Sequence, residues 1–208
     1  DYKSIIEHPK ILCSYSDSTT LLNAIQYMTG LITFYGASLR TFEDLTEYNW
    51  QSFKNRLMTK ECRYIKAGEW KTIYPGVCEG VLAGGYLVNY AALQGLEFYK
   101  SMPDDSCILF LEDHERFNSP AAVSKWFSNL MQRGVFERVS GVIFGHYSVN
   151  DNPLIDQILY RVGEQYHIPV AKCEDFGHGI NNSILPIGIK AKLDTQDRSF
   201  KFLENCVS

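Results

Sequence analysis

Residues 10–25 read KILCSYSDSTTLLNAI, an apolar run followed at once by a helical pattern. The first part, Lys10–Tyr15, is short and apolar, as a buried strand is. The second part, Thr19–Met28, repeats its apolar residues at helical spacing, and the serine and threonine residues before it are suited to capping a helix. A strand that turns directly into a helix is the repeating unit of α/β folds.

The same alternation continues along the chain. Further strands are predicted at Leu31–Tyr35, Cys107–Leu111, Val139–Phe144 and Ile168–Cys173, and further helices at Thr41–Leu57, Pro120–Met131 and Pro153–Tyr166. This pattern predicts an α/β architecture with a largely parallel sheet. In the tail, Ser183–Leu193 and Arg198–Leu203 flank a polar turn, which predicts a β-hairpin.

One stretch separates the pattern into two units. Residues from Glu61 to Glu79 are aromatic, charged and irregular, with glycine and proline among them, and we interpret them as a linker. The chain also opens almost directly on a strand, so we expect it to be the remainder of a longer chain.

Composition excludes several classes of protein. The 208 residues are 45% hydrophobic and 21% charged, as in an ordinary globular protein. The net charge is -4 and the basic residues are dispersed, which argues against nucleic-acid binding. No apolar run approaches the roughly 18 residues of a membrane span. The six cysteines form no C-x-x-C pair, which favours a reducing compartment and predicts a cytoplasmic location.

Ser16 is a candidate nucleophile because it lies between a predicted strand and a predicted helix. A sharp turn at such a position lifts a hydroxyl out of the sheet, and the next amide, that of Asp17, would face a developing oxyanion. The flanking glycines of a nucleophile elbow are absent, since Ser14 and Ser18 occupy those positions. The alternative is that Ser16 simply belongs to a serine-rich helix cap.

Glu112 is a candidate acid because it ends the buried strand in CILFLE, and open α/β sheets assemble their sites at the carboxyl ends of strands. A buried carboxylate requires a partner, and orienting an imidazole is one such role. Two alternatives remain open at this point. The segment could be a solvated acidic turn, or Glu112, Asp113 and His114 could form a metal cluster.

His178 is the candidate base. It lies between Gly177 and Gly179, which permit unusual backbone angles and close approach by a substrate. The alternative is a structural loop histidine. His146, at the end of another predicted strand, is the reserve candidate for a role in the cleft.

Two other carboxylates, Glu174 and Asp175, compete with Glu112 for the role of the acid. The order serine, acid, histidine agrees with that of α/β-hydrolases, and all three candidates fall at or just beyond strand ends, as a converging triad requires.

Ordered motifs add a family resemblance. The chain resembles the LD-carboxypeptidase family of serine peptidases, which includes the microcin C self-immunity peptidases. The segments that carry the resemblance are SYSDSTTLLNAI (14–25), LAGGYLVNYAALQG (82–95), ILFLEDHE (108–115) and FGHGINN (176–182).

The resemblance implies a catalytic triad in which Ser16 is the nucleophile, His178 the general base and Glu112 the carboxylate that orients it. Its motifs also imply an oxyanion and substrate-binding set, which consists of Asp17, Gly84, Gly85 and Tyr86. No metal and no organic cofactor are expected.

The family fold divides the chain into two domains with the site between them. Residues 1–60 would be the remainder of a Rossmann-like N-terminal domain that is truncated relative to the family, 61–79 the linker, and 80–208 a β-rich C-terminal domain. Family members usually form homodimers, which predicts a homodimer here.

Three departures from the family pattern stand out. Ser14 replaces a glycine, Tyr86 replaces the asparagine of G-G-N-L, and a glycine-rich segment expected to supply a second oxyanion donor is missing.

The expected substrate is a peptide, and the leading hypothesis is release of the terminal D-Ala from a murein tetrapeptide. One alternative is an immunity-type peptidase that cleaves peptidyl-nucleotide antibiotics, with Trp70 and Tyr74 as candidates for stacking on the nucleobase. Another is a catalytically inactive binding relative.

Overall fold

A computed structural model describes residues 1–43, 45–59, 63–96 and 106–207. Its elements in chain order are α1 (Tyr2–Glu7), β1 (Cys13–Ser14), α2 (Thr19–Thr29), β2 (Thr33–Tyr35), α3 (Glu47–Phe53), β3 (Lys71–Tyr74), β4 (Val77–Tyr86), α4 (Leu87–Leu93), β5 (Cys107–Glu112), α5 (Pro120–Gln132), β6 (Val139–Phe144), α6 (Pro153–Tyr166), β7 (Val170–Lys172), β8 (Leu185–Ile187), β9 (Lys190–Asp194) and β10 (Ser199–Phe202). Within the described ranges, no helix is long and apolar enough to cross a membrane.

The strands form two sheets. The larger has seven strands in the order β10-β9-β4-β5-β6-β7-β3, and the smaller has three in the order β1-β2-β8. Neighbouring strands from β4 to β7 run parallel, as do β1 and β2, whereas β3, β8, β9 and β10 pair antiparallel. The predicted α/β class is therefore confirmed, with antiparallel strands added at the edges of a parallel centre.

Strand β5 lies at the centre of the larger sheet and its six residues are buried. Successive side chains of a strand point to opposite faces. Ile108 and Phe110 accordingly pack into the apolar layer between the two sheets, and Leu109 and Leu111 pack into the layer under helices α4, α5 and α6. This position carries Glu112, the last residue of β5, into the protein interior.

The predicted helix Thr41–Leu57 is wrong in its first part. A 3₁₀ turn covers Leu39–Phe42, and the α-helix begins only at Glu47. Thr46 is the helix cap, because its side chain accepts a hydrogen bond from the Asn49 amide at 3.2 Å. Asp44, which belonged to the predicted helix, lies outside the described residues.

The predicted tail hairpin is confirmed by β9 and β10, which pair antiparallel from Asp194 and Ser199 outward. The predicted strand Ser183–Leu193 is divided into two. Its first part contains β8, which pairs with β2 of the smaller sheet, and only its second part belongs to the hairpin. In the stretch interpreted as a linker, β3 and the start of β4 belong to the larger sheet, and 61–62 lie outside the described residues. The division into domains at 61–79 stays a prediction.

Candidate active site

Ser16 lies on the sharp turn between β1 and α2, with a φ of 58°. A left-handed conformation costs a non-glycine residue about 1–3 kcal/mol and persists only where its surroundings hold it. Here the Ser16 amide donates to the Tyr35 hydroxyl at 3.2 Å, and the Ser16 carbonyl accepts from the Thr19 hydroxyl at 2.7 Å. The turn has the form of a nucleophile elbow although it lacks the elbow's glycines.

The Ser16 hydroxyl lies 2.9 Å from His178 Nε2, and His178 Nδ1 lies 2.9 Å from Glu112 Oε2. A carboxylate only accepts hydrogen bonds, so Nδ1 carries the imidazole proton and Nε2 accepts from the serine. Side chains from the turn after β1, the end of β5 and the loop after β7 thus form one continuous chain of hydrogen bonds. The helix-cap reading of Ser16 does not fit, because its hydroxyl contacts an imidazole.

Glu112 is fully buried and surrounded by donors. The Tyr35 hydroxyl donates to Oε1 at 2.5 Å, and Oε2 accepts from the His178 backbone amide at 3.3 Å as well as from its ring. Burial, followed by the charge and hydrogen bond of Glu112, raises the pKa of Tyr35 well above its usual range, so its hydroxyl stays a donor. A solvated acidic turn does not describe this residue.

The two glycines beside His178 leave room for the side chains of neighbouring residues. Gly177 has a φ of 109°, and a Cβ there would lie 2.9 Å from Glu112 Oε2. At Gly179, a Cβ would lie 2.7 Å from Cγ of His146. The close approach expected at these glycines therefore comes from the neighbouring carboxylate and imidazole.

Aromatic rings surround the His178 imidazole. Its centroid lies 5.3 Å from Tyr15, 5.1 Å from Tyr86 and 5.4 Å from Phe117. Burial lowers the pKa of His178, but the hydrogen bond and charge of Glu112, with the charges of Asp113 and Asp17 beyond it, outweigh that effect and raise the pKa above its ordinary value.

Asp17 and Tyr86 flank the nucleophile turn. The Asp17 amide lies in the first turn of a 3₁₀ segment, Ser16–Ser18, where N–H groups have no acceptor within the helix. The Tyr86 amide is already engaged, since it donates to the Thr19 hydroxyl at 2.9 Å. The Tyr86 hydroxyl accepts from the Asn118 side chain at 3.2 Å.

Gly84 and Gly85 allow other elements to approach β4. A Cβ at Gly84 would lie 1.8 Å from the Phe110 carbonyl oxygen, and one at Gly85 would lie 2.5 Å from the Thr19 hydroxyl. The Gly84 amide and carbonyl both bond to the side chain of Asn23. These contacts give both glycines a packing role, and their part in binding substrate stays a prediction.

The competing carboxylates have other partners. Glu174 is hydrogen-bonded to Nδ1 of His146. Asp175 is fully buried and accepts from the Tyr64 hydroxyl at 2.9 Å and from the Trp70 indole at 2.8 Å.

Trp70 is buried, with 2% of its surface exposed, and its indole bonds to Asp175. This corrects the role of stacking on a nucleobase that was considered for Trp70. Tyr74 lies on β3, where its ring packs against that of Tyr160 at 5.9 Å.

The side chains of the possible metal cluster face different partners. Glu112 is occupied by Tyr35 and His178, while Asp113 Oδ1 accepts from the His114 amide at 2.7 Å. His114 Nδ1 accepts from the Arg116 amide at 3.0 Å. Among the described residues, no group of three or more His, Cys, Asp or Glu is arranged to hold a metal.

Tyr35 is a candidate site residue that the sequence reasoning missed. It joins the nucleophile turn to the acid through its single hydroxyl. A signal was present, since Tyr35 is the last residue of the predicted strand Leu31–Tyr35, and the carboxyl ends of parallel strands are where such sites form.

The profile of the LD-carboxypeptidase C-terminal domain matches residues 79–193, and that of the N-terminal domain matches residues 1–36. The chain belongs to the LD-carboxypeptidase family. It is 30% identical to the microcin C7 self-immunity protein MccF of Escherichia coli, over 100% of this chain and 70% of that protein. It is 29% identical to a Bacillus subtilis protein named "Probable murein peptide carboxypeptidase", over 96% of this chain and 64% of that protein.

A solved structure of a family member also resembles this chain. The structure of MccF in complex with glutamyl sulfamoyl guanosine superimposes with a TM-score of 0.81 at 28% identity, covering 100% of this chain and 71% of that chain. This family member spans about 62 to 70% of the lengths of its first curated relatives.

Proposed function

We propose that this LD-carboxypeptidase family member is a serine carboxypeptidase with Ser16 as nucleophile, His178 as general base and Glu112 as the residue that orients the base. The observation that carries the proposal is the hydrogen-bond chain from Ser16 Oγ through the His178 ring to Glu112, with both contacts at 2.9 Å. This order of hydroxyl, imidazole and carboxylate supports the three proposed roles.

The reaction follows from the positions of the protons. His178 Nε2 removes the Ser16 hydroxyl proton as Oγ attacks the scissile carbonyl, and the resulting imidazolium is stabilised by Glu112. The Asp17 amide supplies a hydrogen bond to the oxyanion. His178 then gives its proton to the leaving amine, and water hydrolyses the acyl-enzyme with the same base.

We propose that the substrate is a murein tetrapeptide and that the product is its terminal D-amino acid, D-Ala. The similarity to the murein peptide carboxypeptidase of Bacillus subtilis supports this substrate class. The test is to incubate the protein with the tetrapeptide and detect released D-Ala by mass spectrometry. We expect the wild type to release D-Ala and Ser16→Ala to release none. Turnover at the wild-type rate in that variant would refute the assignment.

A second candidate is cleavage of peptidyl-nucleotide antibiotics of the microcin C type by the same triad. The observation that favours it is the similarity to MccF across the whole chain. Incubation with an aminoacyl sulfamoyl nucleoside and with the tetrapeptide, in parallel, separates the two candidates by which of them is consumed.

A catalytically inactive binding relative is the remaining alternative. It predicts that the protein binds a peptide without turnover, and that a fluorophosphonate probe leaves Ser16 unlabelled. Labelling that disappears in Ser16→Ala would exclude it. The cytoplasmic location and the homodimer also stay predictions. The cysteines at 13, 78, 107 and 173 are free thiols.

A further inference from the structure

A cleft of about 760 Å³ opens beside the His178 ring. Its wall carries two further imidazoles, those of His114 and His146, and the carboxylate of Glu174. A smaller cleft of about 280 Å³ also contacts His178. Apart from His178 itself, the described wall of that smaller cleft is uncharged. The two clefts therefore offer different chemistry next to the His178 ring.

The His146 ring is fixed in place at the edge of the larger cleft. Its Nδ1 is hydrogen-bonded to Glu174 Oε2, and its backbone amide donates to the Phe176 carbonyl at 2.9 Å. Gly179 lies so close to the ring that a side chain there would collide with it. The Glu174 contact leaves Nε2 as the ring atom that can meet a ligand.

His114 stands between the other two imidazoles, with its centroid 5.3 Å from that of His146 and 6.3 Å from that of His178. Its Nδ1 accepts a hydrogen bond from the Arg116 amide, so the neutral ring carries its proton on Nε2. Burial, and then the charges of the two neighbouring imidazoles, lower the pKa of His114. Near neutral pH, His114 is therefore an uncharged donor.

Two lysines also line this cleft, but their charges are balanced. Lys172 Nζ contacts Asp151 at 2.6 Å and Asp156 at 3.0 Å, and Lys71 Nζ contacts the same two carboxylates at 2.8 and 2.5 Å. These four residues form a closed ring of alternating charges. The described wall next to His178 therefore offers the imidazoles of His114 and His146, beside the hydroxyl of Ser148 and the side-chain amide of Asn181.

We propose that His114 and His146 form a subsite for the carboxylate of the amino acid that the reaction releases. This inference rests on the proposed carboxypeptidase function, because such an enzyme must distinguish a free terminal carboxylate from a continuing chain. The Nε2–H of His114 gives one hydrogen bond to that carboxylate. When the His146 ring carries a proton on each nitrogen, Nδ1–H is held by Glu174 and Nε2–H gives a second, charge-assisted hydrogen bond.

The test compares two peptides that differ only at the end, one with a terminal D-Ala carboxylate and one with its amide. Wild-type protein, His114→Leu and His146→Leu are assayed for kcat and KM on both. His114→Gln and His146→Gln serve as variants of similar polarity in case the leucine variants do not fold. His167→Asn is the matched control, because His167 ends α6 in a left-handed conformation and does not line the cleft.

We expect the wild type to prefer the acid, and each leucine variant to lower the acid-to-amide ratio of kcat/KM about tenfold, mainly through KM. The glutamine variants should lower it less, and His167→Asn should keep the wild-type ratio. Folded variants that retain the full preference would overturn the subsite. A wild type that cleaves neither peptide would instead overturn the proposed function, so the two failures are distinguishable.

Discussion

The Tyr35 hydroxyl donates a hydrogen bond of 2.5 Å to Glu112 and accepts one of 3.2 Å from the Ser16 amide. One phenol therefore connects the strained turn of the candidate nucleophile to the buried acid. Tyr35 is completely inaccessible to solvent, so water cannot replace it as a donor if the hydroxyl is removed. We infer that it is a positioning residue, which acts through Glu112 and Ser16.

Tyr35→Phe removes this hydroxyl and leaves the ring in place. Loss of a hydrogen bond to a buried carboxylate should lower the free energy of unfolding by about 1.5–3 kcal/mol and kcat by about tenfold or more. Urea denaturation and steady-state kinetics measure the two effects. Tyr2→Phe, on the exposed helix α1, is the control and should match the wild type. Unchanged stability and unchanged kcat in Tyr35→Phe would contradict the role.

The pH dependence of kcat/KM should report the titration of His178. The mechanism needs a neutral imidazole, and the pKa of His178 lies above its ordinary value of 6.5, so activity should rise with pH through that higher pKa. In Glu112→Gln the supporting charge is gone, and the acid limb of the residual activity should move to lower pH. A limb at the same pH in both proteins would mean that Glu112 does not stabilise the imidazolium.

The same shift has a consequence for stability. A histidine whose pKa is raised by folding stabilises the native state below its unfolded pKa, and this contribution disappears as the pH rises through the folded pKa. We therefore expect the stability that Glu112→Gln loses through this pair to be greatest in mildly acidic solution. Thermal unfolding of both proteins across that pH range measures the difference.

Local patterns were sufficient for most strands of the larger sheet, and the triad candidates needed the family resemblance as well. Strand β6 and helix α6 have the predicted bounds, and Ser16, Glu112 and His178 were proposed as candidates from their positions at strand ends and from the family resemblance. Strands β3 and β4 and helix α4 were not predicted, and the other failures were non-local or depended on a cap. Helix α3 begins at Glu47 because Thr46 caps it, and β8 joins the smaller sheet through pairing with β2, more than a hundred residues away. Tyr35 was missed because its partners are distant in sequence.

Gly177→Ala tests whether the backbone beside His178 must remain free of a side chain. The new Cβ would lie 2.9 Å from Glu112 Oε2, at a φ of 109° that alanine rarely adopts. Strain and the displaced carboxylate should together lower stability by about 2 kcal/mol or more and reduce kcat. The matched control is Gly68→Ala, where a Cβ meets nothing within 4 Å. Equal melting temperatures and equal kcat for the two variants would argue against the close packing.

Asp113→Asn tests the buried carboxyl next to the acid of the candidate triad. Asp113 is fully buried and, among the described residues, its Oδ2 has no hydrogen-bond partner. Burial, opposed by hydrogen bonds from Asn118 and the His114 amide, raises the pKa of Asp113 to about 6. An acid whose pKa is raised by folding destabilises the native state as the pH rises from its unfolded pKa through its folded pKa.

The wild type should therefore lose stability on the order of 2 kcal/mol from this group between pH 4 and pH 7, and Asp113→Asn should not lose that part. Chemical denaturation of both proteins at the two pH values measures how much the loss of stability between pH 4 and pH 7 differs between them. Asp197→Asn, in the exposed turn between β9 and β10, is the control and should follow the wild type. If Asp113→Asn shows the same pH dependence as the wild type, the pKa of Asp113 is the same in the folded and unfolded states, and its burial is offset by contacts other than the two described.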